Sequence, residues 1–349
     1  HRDLHSFPTR RSSDLRTRTK CNESLLKGTS VSFIGTATIG FDHIDAEYCE
    51  KNNITWTSAP GCNSLSVHQY IAAALLEIQR DCGFILKGKT IGVIGVGNVG
   101  SKVANLAKAM GMKVLLNDPP RSRKEGPSGF VTIDTILSES DIITLHVPLN
   151  LSGEDATLHL VNDNFISKLG KKIWLVNSSR GEVADTTALK RVLQSGLISG
   201  AVIDVWENEP DLDLELLNAA LIGTPHIAGY STDGKANGTA MVVNSLSGFF
   251  KLPLTSWYPV NIPPPENQLI EIECAGKKEI EILREAVVHS YDITVDAKNL
   301  RNSPSDFEQL RGDYRLRREF SAYTVKLKGC NEATGRLLME LGFTVEQKI

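Results

Sequence analysis

Three residues of this sequence carry side chains suited to acid–base chemistry on a substrate that bears a carboxylate. Arg180 lies in N-S-S-R-G, Glu209 in D-V-W-E-N-E-P and His226 in T-P-H-I-A-G-Y. A guanidinium grips a carboxylate through two hydrogen bonds and polarises a carbonyl group beside it. An imidazole exchanges a proton with a hydroxyl near neutral pH, and a carboxylate fixes its tautomer. Together these groups predict hydride removal from a 2-hydroxy acid.

Each of the three residues also has an ordinary structural interpretation. Arg180 could form a surface ion pair, Glu209 could be an acid at a helix N-terminus, and His226 could be a hydrogen-bonded loop histidine. Position favours catalysis, because each residue follows a predicted strand and open α/β sheets bind ligands at the carboxyl ends of their strands. Other histidines lack an evident carboxylate partner or lie in predicted helices or loops: His43, His146, His68, His159 and His289.

A glycine-rich turn between two apolar runs predicts a dinucleotide site. After the run 91–94, Gly95, Gly97 and Gly100 match G-x-G-x-x-G, and a second run ends in Asp118. The first glycine permits a tight turn, the second lets the backbone approach a pyrophosphate, and the third lets helix pack closely on strand. The N-terminus of the following helix supplies free N–H groups for the phosphates.

The acid at the end of the second run favours NAD over NADP. The carboxylate of Asp118 can accept hydrogen bonds from the adenosine ribose hydroxyls and repels an added phosphate. Arg121 and Arg123 lie close to it in the sequence and weaken that expectation.

Apolar runs alternate with helical segments over most of the chain, which predicts a doubly wound parallel sheet of the α/β class. The predicted strands are Val31–Ile34, Ile54–Thr57, Asp141–His146, Lys172–Asn177 and Gly200–Asp204. Beyond a proline-rich segment at 253–265, the sequence predicts a small α+β domain. Its predicted elements are strand Leu269–Cys274, helix Lys278–Val288, strand Asp292–Val295, an arginine-rich stretch Arg311–Arg318, strand Ala322–Leu327 and helix Ala333–Leu341.

These patterns predict a chain of several parts. They divide it into residues 16–64 with 230–252, a cofactor domain at 65–229, a linker at 253–265 and a C-terminal domain at 266–349, whose default role is dimerisation or regulation. Residues 1–15 show no clear helix or strand period, so we expect them not to belong to this fold.

Composition narrows the class of protein. The 349 residues are 41% hydrophobic and 23% charged with a formal net charge of −3, which favours neither nucleic acid nor an anionic membrane as partner. No apolar run reaches the length of a membrane span, and no signal peptide is visible. Six scattered cysteines without a C-x-x-C pair favour a reducing cytoplasm over a disulfide or zinc framework, and no metal is expected.

The sequence resembles the D-isomer-specific 2-hydroxyacid dehydrogenases from about Arg16 to its end. The resemblance rests on G-T-A-T-I-G-F-D-H-I-D (35–45), A-P-G-C-N (59–63), G-V-I-G-V-G-N-V-G, G-T-P-H-I-A-G-Y-S (223–231) and Y-R-L-R-R-E-F (314–320). It implies that Arg180, Glu209 and His226 form the catalytic triad of a homodimer that oxidises a phosphorylated hydroxy acid. It also implies that residues 16–64 and 230–252 form a substrate-binding lid, which lacks its first strand because residues 1–15 stand in the place of that strand. The cofactor contacts implied by position are Asn98, Val99, Val147, Ser178, Ser179, Asp204 and Gly229, and the substrate contacts are Thr17, Thr38 and Tyr230.

Other functions remain open at this point. A second type of D-2-hydroxyacid dehydrogenase, acting on phosphoglycerate or glyoxylate, would share the fold and the triad. A non-catalytic NAD-binding regulator could use the same fold, although an intact triad argues against it. An inactive fragment is a third alternative.

Overall fold

The computed structural model describes residues 19–348 and divides them into two compact units. One unit contains the described residues up to Asn63 together with Ser231–Pro263. The other contains Ser64–Tyr230 and the residues from Pro264 onward. Thr17 and residues 1–15, on which the sequence analysis made predictions, lie outside the described residues.

Eleven strands and fourteen α-helices are found within residues 19–348. The strands are β1 Phe33–Gly35, β2 Thr55–Thr57, β3 Thr90–Ile94, β4 Lys113–Asn117, β5 Ile142–Leu145, β6 Trp174–Asn177, β7 Gly200–Ile203, β8 Ile222–Gly223, β9 Leu269–Glu273, β10 Thr324–Lys328 and β11 Thr344–Lys348. The helices are α1 Glu23–Leu26, α2 Ala46–Lys51, α3 Ser64–Cys82, α4 Asn98–Ala109, α5 Pro119–Glu125, α6 Ile133–Glu139, α7 Asp163–Ser167, α8 Thr186–Gln194, α9 Leu214–Ala219, α10 Thr232–Phe250, α11 Glu279–Ser290, α12 Ile293–Asn302, α13 Phe307–Gly312 and α14 Glu332–Leu341. Among these helices none combines the length and apolar character needed to cross a membrane.

Six parallel strands form the sheet of the second unit, in the order β4-β3-β5-β6-β7-β8. All residues of β5, β6 and β7 are buried, as expected for a parallel sheet that helices cover on both faces. The strand order reverses between β3 and β5, which is the switch point where a crevice opens at the carboxyl ends. The predicted doubly wound α/β fold is confirmed.

The first unit is built around the parallel pair of β1 and β2. β1 begins at Phe33 rather than at Val31, which is exposed. Helix α10 packs closely on this pair, since a Cβ added to Gly35 would lie 2.5 Å from Cγ1 of Val242. The close approach of helix and strand therefore requires glycine at this position.

Residues 269–348 form a separate three-stranded sheet in the order β11-β10-β9, with all strands parallel. The predicted strand Asp292–Val295 is wrong, because these residues begin helix α12. The side chain of Asp292 caps that helix by accepting a hydrogen bond from the Thr294 N–H (2.9 Å). β-Branched residues suggested a strand, and the N-cap outweighs that preference. Strand β11 was missed altogether.

The C-terminal sheet shares its hydrophobic core with the cofactor sheet. Helix α3 contacts α11, and buried Ser66 donates a hydrogen bond to Glu319 (2.9 Å). One apolar cluster includes Ile71 from α3 and Ile282 from α11. Glu319 directly follows the arginine-rich stretch, so this bond holds the end of that stretch against helix α3.

A disulfide joins Cys274 to Cys330, with Cα atoms 5.3 Å apart. The expectation that the cysteines are unpaired is therefore wrong for this pair. Cys274 follows β9 and Cys330 follows its neighbour β10, so the parallel register brings together residues 56 positions apart. Spacing along the chain could not reveal this pair.

Candidate active site

A histidine and a glutamate predicted from different strand ends form a hydrogen-bonded pair. Nδ1 of His226 lies 2.8 Å from Oε2 of Glu209, and the other carboxylate oxygen accepts the Trp206 N–H (2.9 Å). Glu209 is thus held by the backbone at the end of β7 while it orients the imidazole. The second ring nitrogen, Nε2, is left as the group that can meet a substrate hydroxyl.

The loop that carries His226 is shaped by a buried aspartate. The carboxylate of Asp204 accepts hydrogen bonds from Thr224 Oγ1 (2.6 Å) and from the N–H groups of Ile227 and Ala228 (2.8 Å each). His226 itself has φ +55°, a left-handed conformation that costs energy for a residue with a Cβ. Asp204, which the resemblance assigned to the cofactor, therefore lies beneath the His226 loop with both oxygens engaged.

Burial and charge act in opposite directions on the two carboxyl groups. Burial raises the pKa of Glu209. The charge and hydrogen bond of His226, followed by the Trp206 N–H and the Arg311 guanidinium, outweigh burial and bring that pKa below its usual range. Burial also raises the pKa of Asp204, and there it prevails over the His226 charge and the hydrogen bonds. Glu209 is thus kept as an anion beside the imidazole.

Arg180 lies in a turn that side chains and a close backbone contact hold in place. Asn177, the last residue of β6, accepts from Ser179 N (3.1 Å) and Oγ (2.8 Å) and donates to the Arg180 carbonyl (2.9 Å). A Cβ on Gly181 would lie 2.0 Å from the carbonyl carbon of Trp206, so the turn touches the segment that bears Glu209. Sequence reasoning missed Asn177 and Gly181, although both lie within N-S-S-R-G.

The glycine-rich turn has the close approaches that its spacing predicts. Gly95 has φ +85°, and a Cβ on Gly100 would lie 1.9 Å from the Gly95 carbonyl oxygen. A Cβ on Gly97 would meet nothing within 4 Å, so this side of the turn is open. Asn98 and Val99 begin helix α4 directly after it.

Alanine at two of these glycines is expected to separate folding from cofactor binding. Gly100→Ala should lower the free energy of unfolding by about 1–3 kcal/mol, because an added methyl overpacks a backbone contact. Gly97→Ala should leave stability within about 0.5 kcal/mol but raise the Kd for NAD by on the order of tenfold, because the pyrophosphate must approach the backbone here. Thermal unfolding and titration calorimetry measure the two effects. Equal loss of stability in both variants would contradict this account.

Asp118 is fixed at the end of β4, and the nearby arginines have other partners. Its carboxylate accepts the N–H groups of Val96 (2.8 Å) and Arg121 (3.0 Å). The Arg121 guanidinium pairs with Glu125 (2.7 Å), and Arg123 pairs with two exposed acids, Glu154 and Asp155. A 2′-phosphate on the ribose of NADP would have to compete with these acids for the two guanidiniums. The arginines therefore favour NADP less than their closeness to Asp118 in the sequence suggested.

We expect kcat/KM with NAD to exceed that with NADP by about 10²-fold or more, since a like charge opposite Asp118 costs several kcal/mol. Asp118→Asn keeps one acceptor oxygen and removes the charge, so it should lower this ratio by at least tenfold. Initial rates with both cofactors give the ratio. Equal kcat/KM values in the parent protein would show that Asp118 does not select the cofactor.

Two features at the carboxyl ends of the cofactor-sheet strands fit an NAD molecule. Oγ of Ser178, directly after β6, is buried without a hydrogen-bond partner among the described residues. Such an atom is costly unless a ligand supplies the bond. Val147 lies beside the glycine-rich turn, with its Cγ1 2.9 Å from a Cβ added to Gly95. Gly229 follows the loop shaped by Asp204.

The three predicted substrate contacts fall in different places. Thr17 is outside the described residues. Thr38 lies in the first unit, where its Oγ1 bonds Thr36 Oγ1 (2.7 Å) and the Gly40 carbonyl (2.8 Å). Tyr230 lies in the second unit, as do Glu209 and His226, and its hydroxyl oxygen accepts a hydrogen bond from Arg311 Nη2 (3.2 Å).

Two further histidines have surroundings that differ from those of His226. Burial lowers the pKa of His146 to about 3, so this imidazole is neutral. His159, interpreted from the sequence as a plain loop or helix residue, has a carboxylate partner after all, since its Nε2 lies 2.6 Å from Oε1 of Glu207. The other Glu207 oxygen accepts the Thr186 N–H (2.8 Å). This pair connects two loops. Its members are 48 positions apart, so the sequence did not reveal it.

Known proteins are similar to this chain along most of its length. Residues 67–228 match the family described as D-isomer specific 2-hydroxyacid dehydrogenase, NAD binding domain, and residues 262–342 match a domain of unknown function. The chain is 51% identical over 311 residues to an erythronate-4-phosphate dehydrogenase of Bacteroides fragilis, with 89% of this chain and 86% of the relative covered. It is 41% identical over 337 residues to the protein of the same name from Proteus mirabilis, with 96% and 89% covered.

Solved structures show the same fold. A D-lactate dehydrogenase from Aquifex aeolicus in complex with NAD and lactic acid is 32% identical, with a TM-score of 0.58. The match covers 70% of this chain and 85% of that one. A glyoxylate reductase from Paecilomyes thermophila is 27% identical, with a TM-score of 0.56 and coverage of 64% and 73%.

Proposed function

We propose a reaction for this chain from one premise: it belongs to the erythronate-4-phosphate dehydrogenases, within the D-isomer-specific 2-hydroxyacid dehydrogenase family. The reaction is the oxidation of 4-phospho-D-erythronate at C2 to 3-hydroxy-2-oxo-4-phosphobutanoate, a step of pyridoxal phosphate (vitamin B6) biosynthesis. The observation that carries the proposal is the identity of 41–51% to relatives of this name over about nine-tenths of the chain. The hydrogen-bonded pair of His226 and Glu209 supports it.

His226, Glu209 and Arg180 have separate roles in the proposed reaction. The C2 hydroxyl gives its proton to Nε2 of His226 as the C2–H bond breaks and the C2–O bond becomes a carbonyl. The acceptor for the hydride that leaves C2 would be supplied by NAD, held at the glycine-rich turn. Glu209 orients the imidazole through Nδ1 and stabilises its positive charge, since the carboxylate remains ionised. The guanidinium of Arg180 grips the substrate carboxylate and polarises the forming carbonyl.

The cofactor contacts in this proposal are the turn with Gly95, Gly97 and Gly100, helix α4 from Asn98, and Asp118. The hydroxyl of Ser178 has no hydrogen-bond partner within residues 19–348, and a bound nucleotide would supply one. Val147, Ser179 and Gly229 complete the proposed set. In this proposal Asp204 affects the cofactor indirectly, because its carboxylate accepts the N–H groups of Ile227 and Ala228 and so shapes the loop that precedes Gly229.

We also propose that the protein works as a cytoplasmic homodimer with the C-terminal segment as its dimerisation domain. Cys21, Cys49 and Cys82 remain thiols, which is typical of a reducing compartment, although Cys274 and Cys330 are joined. Sedimentation velocity of the intact chain tests the assembly, and a species with the mass of one chain alone would contradict the proposed dimer.

Formation of NADH from 4-phosphoerythronate, measured by absorbance beside 3-phosphoglycerate and D-lactate, tests the reaction. We expect kcat/KM for 4-phosphoerythronate to exceed the other two. A preference for D-lactate or 3-phosphoglycerate would replace this substrate with another of the same family. Absence of oxidation of all three, with NAD still bound, would favour a regulatory protein.

A further inference from the structure

The arginine-rich stretch of the C-terminal segment has no part in the reaction described so far, and two of its members have structural roles. Buried Arg317 donates to the carbonyls of Ala228 (2.6 Å), Ile227 (3.3 Å) and Ser66 (3.3 Å). Arg315 pairs with a buried carboxylate in the same segment, Asp296. The partners of these two guanidiniums are backbone carbonyls and a buried carboxylate of the protein itself, so both side chains stabilise the fold.

Arg311 has a different environment. Its Nη2 donates to the hydroxyl of Tyr230 (3.2 Å), and its guanidinium lies 5.8 Å from the centre of that ring. Its ion pair with Glu308 is loose, with 3.5 Å between Nη1 and Oε1. The side chain is 14% exposed, and Nε is buried without a hydrogen-bond partner among the described residues. A nearly buried cation with an unused donor is costly unless an anion binds there.

This guanidinium lies close to the catalytic groups. Tyr230 is four residues after His226 in the same loop. The charge of Arg311 contributes to lowering the pKa of Glu209, which requires proximity to that carboxylate. All four residues belong to the second unit of the structure.

The proposed substrate has two anionic ends that need separate cations. Arg180 serves the carboxylate next to the reacting carbon, which leaves the phosphate on C4 without a partner. An arginine fork with adjacent N–H donors matches two oxygens of a phosphate, and a phenol can donate to a third.

We infer that Arg311 and Tyr230 form the subsite for the substrate phosphate, so that the C-terminal segment supplies the specificity for phosphorylated substrates to the active site of its own chain. This inference rests on the proposed function. In this subsite the arginine comes from the same chain as the active site and not from a partner subunit, because the Arg311–Tyr230 contact lies within one chain.

Oxidation of 4-phosphoerythronate and of unphosphorylated erythronate, compared in the full-length protein and in Arg311→Ala, tests the inference. We expect the variant to lose about 10²-fold in kcat/KM for the phosphorylated substrate, since a buried charged contact typically contributes this much. For erythronate the value should change less than about threefold. Competitive inhibition by inorganic phosphate should weaken in parallel.

The controls separate this role from structural and positioning roles. Arg336→Ala removes an exposed arginine of α14 that pairs with Glu332, and it should match the parent protein on both substrates. Arg311→Lys keeps the charge without the fork and should show a smaller loss than alanine. Circular dichroism and thermal unfolding check that each variant folds.

The outcomes are distinguishable. Equal loss on both substrates in a folded Arg311→Ala variant would mean that Arg311 acts through Glu209, and it would overturn the inference while leaving the proposed function intact. Unchanged kcat/KM values for both substrates in that variant would likewise overturn it and favour an arginine from a partner subunit. A parent protein that prefers erythronate over its phosphate would overturn the proposed function, and the inference with it.

Discussion

His226→Gln is expected to lower kcat for oxidation of 4-phosphoerythronate by about 10²–10⁴-fold, the usual contribution of a general base. Glutamine preserves much of the size of the side chain but cannot accept the hydroxyl proton. The Kd for NAD should stay within about twofold, because the cofactor contacts proposed here do not involve the imidazole. Stopped-flow or steady-state rates of NADH formation, with calorimetry for NAD, measure both quantities.

His159→Gln is the matched control for this prediction. His159 also pairs with a glutamate, Glu207, at 2.6 Å, so its replacement removes the same kind of contact without touching the triad. It should leave kcat unchanged. If His226→Gln kept activity within a few-fold of the parent protein, the assignment of the proton acceptor would be wrong.

Arg180→Lys is expected to lower kcat/KM by on the order of 10²-fold, because small misplacement of a reacting group has effects of this size. Lysine keeps the positive charge but loses the planar fork that binds both oxygens of a carboxylate. The loss should appear as a raised KM together with a lowered kcat. Steady-state kinetics at saturating NAD separate the two constants.

Arg191→Lys is the control for this substitution. Arg191 is half-exposed on α8 and pairs with Asp163 on the surface, so the exchange to lysine should be silent. Unchanged kcat and KM in Arg180→Lys would show that the guanidinium of Arg180 serves the fold and leaves the substrate carboxylate to another residue.

A buried hydrogen-bond network holds the loop that carries His226. Asp204 organises the loop on which His226 adopts φ +55°, and Tyr70 reaches the same network through Thr224 Oγ1 (2.7 Å). Backbone strain of this kind persists only where surrounding contacts determine the conformation. The position of the imidazole thus depends on residues far away in sequence.

The amino-acid sequence by itself determined the cofactor fold of this protein. Alternating apolar runs and helical segments predicted the doubly wound sheet, and the spacing of Gly95, Gly97 and Gly100 predicted the turn at its switch point. These signals are local, because the period of a strand or helix and the need for a positive φ are encoded within a few residues. The same locality explains why Arg180, Glu209 and His226 could be selected as residues that follow successive strands.

Local signals were weaker in the C-terminal segment. The β-branched residues Ile293, Thr294 and Val295 suggested a strand, whereas the cap at Asp292 and burial against the core produce helix α12. Intrinsic preferences of this kind are small, so tertiary packing readily overrides them. Strand β11 depends on pairing with β10 for the same reason.

Only the tertiary structure decided which side chains meet. The hydrogen bonds of Asp204 to the His226 loop, the Cys274–Cys330 disulfide and the Arg311–Tyr230 contact join residues separated by about twenty to eighty positions. Residues so far apart meet because parallel strands in register and a shared core bring their ends together. No periodicity along the chain records such a meeting, which is why the sequence indicated candidate catalytic residues but not the hydrogen-bond network around them.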